Sequence, residues 1–353
     1  MEKTMDMFNV YLPVAGLDFN VLLLLLIGAT VGVCGGFFGI GGAWIVTPAL
    51  NIFGFPMPYA IGTDLAHMGG KSIVPTIRHS KFGNVDIRLA VSMMIGTTAG
   101  LELGARLVMY LERIGLAESL IRKIYVVLLF TVGSYVLYDY VRHTRNRRKN
   151  GTAGNPGKAA GETVARRLHR VNVPPMINFR VSGVRCSIWL PVMVGLVTGV
   201  VASVLGVGGG FIRMPALIYL VGCPTLVAVG TDLFEVMITG AYGAFTYGVK
   251  GRVDLLAAMW MLLGAAVGAQ LGTIAVKYVR GYSIRLLFAA TIFLACASVL
   301  LKQLELQTPS SVLIITAGVA ISLVIIVLLV RGIRAERATT RASCDLSSGE
   351  RNK

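Results

Sequence analysis

The chain has 353 residues, of which 55% are hydrophobic and only 14% are charged, and its mean hydropathy is +0.73. In soluble domains about a quarter of the residues are charged. The composition of this chain therefore excludes soluble enzymes, disordered tails and disulfide-rich scaffolds, and it predicts a polytopic membrane protein. The net charge of +16 is concentrated in loops, which argues against nucleic acid as a partner.

The apolar stretches are long enough for helices of about 20 residues that cross a bilayer. Nine such helices are predicted, near 20–38, 60–79, 87–110, 121–141, 189–205, 226–248, 254–279, 283–302 and 311–331. Two further apolar pieces, 43–53 and 211–222, are too short to span a membrane alone. Each follows a glycine cluster and contains a proline (Pro48 and Pro215). The expected fold is therefore all-α, with a broken helix near each glycine cluster.

Charge and hydropathy together divide the chain into six segments. These are an N-terminal segment 1–19, a membrane repeat 20–141, a basic insert 142–187, a second membrane repeat 188–302, an extra membrane helix 311–331 and a basic tail 332–353. The insert holds eleven Lys or Arg against one acid. Such an excess predicts a cytoplasmic insert and C-terminus in a multi-pass protein of the cell membrane. The run 142–149 is suited to anionic lipid headgroups, and a homo-oligomer is compatible with the sequence.

The two membrane segments repeat one another. Residues 32–42 match residues 199–209 at an offset of 167, and Gly-Thr-Asp-Leu at 62–65 matches 230–233 at an offset of 168. Glycine, valine and aspartate at 83, 85 and 86 then match 251, 253 and 254. The loop charges favour opposite orientations of the two repeats, the inverted plan of many transporters. A parallel repeat is the alternative, because the inverted plan places Lys250 and Arg252 outside.

The glycine clusters predict an anion site. A broken helix frees backbone N–H groups, and its positive N-terminal end favours an anion. Arg213, three residues after Gly210, adds a guanidinium group suited to oxyanions. The candidate binding residues are Gly39, Gly41, Gly42, Gly206, Gly208, Gly209, Gly210, Arg213, Thr63 and Thr231. The alternative is that the glycines only allow close helix packing.

Ionisable residues inside apolar spans are costly, so each is a functional candidate. Asp64, His67 and Lys71 share one helix face, and the matching face of the second repeat carries Asp232, Glu235 and Thr239. We interpret the five ionisable residues Asp64, His67, Lys71, Asp232 and Glu235 as groups that couple transport to protons or ions. The alternative for the aspartates is helix capping, or local pairing with Lys71 and Arg213. The equivalent residues Glu102 and Gln270 are expected to face the same cavity.

The motif at 206–217, with Pro224 and Val-Gly-Thr-Asp-Leu at 229–233, resembles the signature of the sulfite exporter TauE/SafE family of membrane transporters. The stretches 39–50 and 62–65 are similar to the same signature, and the resemblance covers roughly 20–302. It implies a two-repeat secondary carrier of sulfur-containing anions without a cofactor. The family commonly has serine after Gly-Thr, so Asp64 and Asp232 are departures that would repel an anion unless protonated or paired.

The sequence therefore predicts a secondary transporter of a small sulfur-containing anion (sulfite, sulfate, thiosulfate or an organosulfonate), coupled to protons. No metal-binding motif and no nucleophile–base pair for catalysis is visible. Two other classes stay open. One is a passive channel, or a carrier of another solute such as a cation held by Asp64, Asp232 and Glu235; the other is a non-transporting membrane partner that acts through the insert.

Overall fold

Eleven α-helices and two β-hairpins make up the part of the chain that the structure, a computed structural model, describes, namely residues 8–38, 43–150, 174–275 and 281–350. The helices are α1 (Val21–Phe38), α2 (Ala43–Ile52), α3 (Met57–Lys81), α4 (Ile87–Arg113), α5 (Ala117–Asn150), α6 (Trp189–Leu205), α7 (Gly210–Ala216), α8 (Thr225–Val249), α9 (Leu255–Ala275), α10 (Gly281–Gln303) and α11 (Gln307–Glu350). The strands are β1 (Asn9–Leu12), β2 (Leu17–Asn20), β3 (Met176–Phe179) and β4 (Val184–Ser187).

Six of the described helices are long and apolar enough to cross a membrane, which confirms the prediction of an all-α polytopic membrane protein. They are α1, α8, α9, α5 over Ala117–Arg142, α10 over Leu286–Gln303 and α11 over Gln307–Arg334. Helices α3 and α4 are of comparable length but carry more polar residues, and α6 has 17 residues. The buried polar residues of α3 and α4 lie against other helices and not against lipid, as the cost of polar groups in hydrocarbon requires.

The predicted break after each glycine cluster is present where the structure describes it. Helix α6 ends at Gly206, and α7 begins at Gly210 and continues as a π-helical turn over Leu217–Val221. Gly206, Gly208 and Gly209 have φ of 74°, 65° and 73°, a left-handed backbone that glycine adopts without a steric penalty. In the first repeat α2 contains Pro48, as predicted, while Gly39, Gly41 and Gly42 lie outside the described residues.

Two helix pairs pack in parallel through stripes of glycine. Along α1, Gly28, Gly32 and Gly36 face α9, whereas Gly264, Gly268 and Gly272 of α9 face α1, in the same chain direction. A Cβ atom at Gly268 would lie 2.1 Å from the carbonyl oxygen of Ala29. Helices α4 and α6 pack in the same way, with Gly96 and Gly100 against Val192 and Leu196. Each stripe therefore joins the first helix of one repeat to the fourth helix of the other.

The other two helix pairs are antiparallel and join equivalent helices of the two repeats. Near the start of α3, Gly62 lies against Arg252, which follows the end of α8, and Gly230 near the start of α8 lies against Asn84, which follows α3. The α5–α10 pair runs in the same antiparallel sense. Its contacts include the rings of Phe130 and Phe293, 6.1 Å apart between centroids, and a hydrogen bond from Arg122 to the Lys302 carbonyl.

A β-hairpin precedes each repeat, and the two hairpins lie at equivalent positions. The paired strands β1–β2 and β3–β4 begin and end 167 residues apart, and their turns contain Gly16 and Gly183, both at φ 66°. The second hairpin lies at the end of the segment 142–187 that the sequence marks as the basic insert. The repeat thus begins at Asn9, 23 residues before the first matched sequence motif at residue 32. Residues 151–173, half of the predicted insert, lie outside the described residues.

Candidate functional site

Arg213 is the centre of a buried polar network at the second glycine break. It lies in the first turn of α7, as predicted, and its side chain is fully buried. Its Nε donates to Thr198 Oγ1 on α6 at 3.4 Å, and one Nη2 hydrogen is donated to the Gly208 carbonyl at 3.2 Å. A guanidinium group held by a loop carbonyl and a neighbouring helix is fixed in position, because its planar donors match several acceptors at once.

Two carboxyl groups of α8 share this network. Arg213 Nη1 forms an ion pair with Asp232 Oδ1 at 3.4 Å, which is the local pairing considered as the alternative for this aspartate. Glu235 lies one turn further along α8 and accepts from Thr239 Oγ1 at 3.3 Å and from Thr97 Oγ1 of α4 at 3.4 Å. Thr239 also accepts from Arg213 at 3.5 Å. One buried cation therefore lies among two buried acids.

The first repeat contributes a smaller polar group. Asp64 is fully buried and accepts from Thr47 Oγ1 of α2 at 2.9 Å, while its second oxygen lies 3.4 Å from His67 Nδ1. The other ring nitrogen of His67, Nε2, is buried and has no hydrogen-bond partner among the described residues. Lys71 is partly buried on the same face of α3. The position equivalent to Arg213 is Val46, so only the second repeat places an arginine at the start of its short helix.

The second glycine loop joins the two polar groups. A Cβ atom at Gly206 would lie 2.4 Å from Thr47 Oγ1, and one at Gly208 would lie 2.2 Å from Met68 Cε, next to His67. At the other side of the loop, a Cβ at Gly210 would lie 2.9 Å from Asp232 Oδ2. The predicted residues of both repeats are therefore brought to one loop, and any side chain larger than hydrogen would collide there.

The backbone of this loop offers donors. Within the part of the chain that the structure describes, the N–H groups of Val207, Gly208 and Gly209 donate no hydrogen bond, although these residues are buried. A buried N–H without an acceptor costs about as much as a lost hydrogen bond, and such groups are rare in proteins. Together with Arg213 they form a set of donors suited to an oxyanion.

Thr63 and Thr231, predicted as binding residues, lie beside the network and bind the opposite repeat. Thr63 Oγ1 accepts from the backbone N–H of Asp254 at 3.0 Å, and Thr231 Oγ1 accepts from that of Asp86 at 3.0 Å. Both threonines are fully buried. Their hydroxyl oxygens thus hold the loops that precede α9 and α4.

The expectation that Glu102 and Gln270 face a shared cavity is wrong. Glu102 is bound to the largely exposed Arg106 of its own helix at 3.0 Å and to Lys250 at 3.6 Å, and Gln270 is exposed. Their equivalence in sequence does not place them together because their helices, α4 and α9, pack against α6 and α1 and not against each other.

The sequence motifs missed the threonines that complete the network. Thr97 and Thr198 lie within the glycine stripes of α4 and α6, next to Gly96 and Gly199. A hydroxyl group in a stripe of small residues was the available signal, because that face packs against another helix and is not exposed to lipid. Among the described residues, no group of three or more His, Cys, Asp or Glu could hold a metal ion.

Comparison with known proteins gives one family and several curated relatives. The family model described as Sulfite exporter TauE/SafE matches residues 24–299. A "Probable membrane transporter protein" of Xylella fastidiosa strain 9a5c is 27% identical over 70% of this chain and 81% of its own length. The "Probable membrane transporter protein YunE" of Bacillus subtilis is 24% identical over 72% of this chain and 87% of its own. No solved structure shows a significant match.

Proposed function

Because the chain belongs to the sulfite exporter TauE/SafE family of membrane transporters, we propose that it is a secondary transporter of a small sulfur-containing anion and that it couples this movement to protons. The family and the curated relatives are membrane transporters and not enzymes. The substrate class is sulfite, sulfate, thiosulfate or an organosulfonate.

The observation that carries the anion assignment is the buried Arg213 next to a glycine loop whose N–H groups at 207, 208 and 209 donate no hydrogen bond to any residue that the structure describes. A guanidinium fork and backbone amides bind an oxyanion with charge-assisted hydrogen bonds. In the proposed site the anion is held by Arg213 and by the loop of Gly206, Gly208, Gly209 and Gly210. By repeat equivalence in the sequence, Gly39, Gly41 and Gly42, which lie outside the described residues, are assigned the same binding role, and Thr63 and Thr231 frame the site.

The acids of the network supply the proposed proton coupling. Asp232 is paired with Arg213 in the structure, so an entering anion competes with this carboxylate for the guanidinium group. A displaced carboxylate, buried and close to Glu235, is stabilised by a proton. Asp64, His67 and Lys71 form the corresponding group of the first repeat, with the unpartnered His67 Nε2 as a further proton acceptor.

The proposed architecture is an inverted repeat in the cell membrane. The antiparallel pairing of equivalent helices, α3 with α8 and α5 with α10, supports it, since a two-fold axis in the membrane plane relates helices in this sense. The basic insert and tail then lie in the cytoplasm, where the run 142–149 meets anionic lipid headgroups. The inverted plan places Arg252 at the outer end, where the ion pair with Glu112 balances its charge.

Uptake of labelled sulfite, sulfate and thiosulfate into proteoliposomes, with and without a pH gradient, tests the function. We expect gradient-driven uptake of one anion by the wild type and a loss of at least about tenfold in Arg213→Lys, which keeps the charge but loses the planar fork. Arg106→Ala, which removes an exposed arginine, is the matched control and keeps wild-type uptake. Unchanged uptake in Arg213→Lys would remove Arg213 from the site. A current that reverses at a cation's equilibrium potential would show that the substrate is a cation and not an anion.

A further inference from the structure

We propose that the paired Gly-Thr and Asp motifs are the two gates of the transporter, and that substrate transport opens them one at a time. The first latch consists of Thr63, Asp254 and Ala15, and the second latch consists of Thr231, Asp86 and Ser182. This inference rests on the proposed transport function in assuming that each end of the molecule opens in turn. Its test measures conformation alone and needs no substrate.

The two latches have the same construction. In the second, the Asp86 N–H donates to Thr231, its Oδ1 accepts from Leu89 N at 3.2 Å, and its Oδ2 accepts from Ser182 N at 3.0 Å. In the first, the Asp254 N–H donates to Thr63, its Oδ1 accepts from Ala257 N at 3.0 Å, and its Oδ2 lies 3.5 Å from Ala15 N. In each latch, the aspartate thus caps its own helix and also binds a helix and a β-hairpin turn of the other repeat.

The preceding glycine makes each latch a close contact. A Cβ at Gly62 would lie 2.2 Å from the carbonyl oxygen of Arg252, and a Cβ at Gly230 would lie 2.3 Å from that of Asn84. Real Cβ atoms do not approach backbone oxygens so closely, so both positions need glycine. The Gly-Thr pair therefore serves contact between the repeats, which explains why it recurs in both.

The latches lie at opposite ends of the polar network. Thr63 is in the second turn of α3, whereas Asp86 follows the end of that helix at Lys81. Eighteen residues of α-helix separate Thr63 from Lys81, or about 27 Å at 1.5 Å per residue, which is close to the thickness of a bilayer core. Each threonine is followed by an aspartate of the network, Asp64 or Asp232. A shift of either carboxyl group is thereby transmitted to the adjacent latch.

The two ends differ in what reinforces them. At the first end, Arg252 pairs with Glu112 of the opposite repeat at 3.0 Å and lies over the Tyr59 ring at 4.7 Å. This ion pair is about a quarter exposed, so salt weakens it. At the second end, the Ser182 hydroxyl donates to Asp86 Oδ2 at 2.8 Å, in a buried site that salt does not reach. Ala15, at the equivalent position of the first hairpin, has no hydroxyl group.

Spin-label distances across each end test the gates. Labels at the exposed positions Phe82 and Val181 report the second end, and labels at Val14 and Val249 report the first. We expect Ser182→Ala to raise the population with the longer Phe82–Val181 distance about tenfold, the change expected for one lost hydrogen bond to a carboxylate. Glu112→Gln is expected to raise the longer Val14–Val249 population about threefold, because a partly exposed ion pair is worth less.

The control is Ser92→Ala, which deletes a hydroxyl that binds only the Arg88 carbonyl of its own helix and should leave both distances unchanged. Raising the salt concentration from about 0.1 to about 1 M should lengthen only the Val14–Val249 distance in the wild type, and this arm needs no variant that might fold poorly. The gates are supported if Ser182→Ala lengthens only the Phe82–Val181 distance and Glu112→Gln lengthens only the Val14–Val249 distance. They are overturned if both variants lengthen the same distance, or if either variant leaves its own distance unchanged, whatever the transport assay shows.

Discussion

In the proposed mechanism, Asp232 is the residue at which the substrate anion and the coupled proton compete. Its carboxylate is bound to Arg213 in the structure, and Glu235 lies one helical turn away on the same face. A lower pH outside favours the protonated form of Asp232, which no longer competes for the guanidinium group. The sign of the coupling follows: anion binding at Arg213 should become stronger as the pH falls.

Asp232→Asn separates charge from hydrogen bonding at this position. The amide oxygen still accepts from Arg213, so the variant should fold, but it cannot take up a proton. We expect anion uptake that no longer accelerates when an inward proton gradient is imposed, whereas the wild type gains severalfold. Uptake by reconstituted protein, with and without the gradient, checks this outcome. A gradient response equal to that of the wild type would assign coupling to Asp64 and His67 instead.

Residue-level prediction succeeded where a motif fixed the position. The placement of Arg213 in the first turn of the short helix follows from sequence spacing and is confirmed, while its pairing with Asp232 is the alternative that the sequence left open for that aspartate. The roles of Thr97 and Thr198 do not follow from sequence spacing. Thr97 donates to Glu235 and Thr198 accepts from Arg213, and in each case the partner lies on another helix. Such contacts depend on which helices pack together, and a single sequence does not state that.

At the scale of helices, glycine stripes set the distance between paired elements. Every fourth residue of α9 from Gly264 to Gly272 lies within contact of the α1 backbone. In lipid the hydrophobic effect does not hold helices together, so close van der Waals packing through small residues is the main attraction. Close packing therefore explains the glycines of these helices. The loop glycines at 206, 208 and 209 are required for another reason, because their backbone is left-handed.

Gly268→Ala and Gly248→Ala form a matched pair that tests this packing. Both glycines are helical, but a Cβ at Gly268 would lie 2.1 Å from Ala29 O, whereas a Cβ at Gly248 meets nothing within 4 Å. We expect Gly268→Ala to lose about 1–3 kcal/mol of stability through overpacking. Gly248→Ala should be neutral or slightly stabilising, since alanine is the better helix former. Thermal unfolding in detergent compares the two, and equal melting temperatures would contradict the packing account.

At the scale of the whole molecule, the two repeats exchange partners instead of folding as separate halves. Helix α1 of the first repeat packs on α9 of the second, and α6 of the second packs on α4 of the first. The latches add cross-repeat hydrogen bonds at both ends. A movement of one repeat therefore changes contacts along the full length of the other, as a transporter that opens alternately to two sides requires.

The inverted plan makes a definite prediction about the two β-hairpin turns. Val14 and Val181 occupy equivalent, exposed positions in these turns, and opposite orientations of the repeats place them on opposite sides of the membrane. A membrane-impermeant maleimide should label Val14→Cys in intact cells and Val181→Cys only after permeabilisation. Labelling of both from the same side would establish a parallel repeat.

The sequence by itself determined the membrane class, the helix segments, the duplication and the family, because hydropathy and local motifs are written along the chain. It also located the break at the second glycine cluster, since backbone conformation is a local property. Only the tertiary structure decided which helices pair, that Thr63 and Thr231 bind the opposite repeat, and that the polar groups of both repeats meet at one loop. Those contacts join residues up to 239 positions apart. Their partners are set by packing geometry, and no local pattern encodes it.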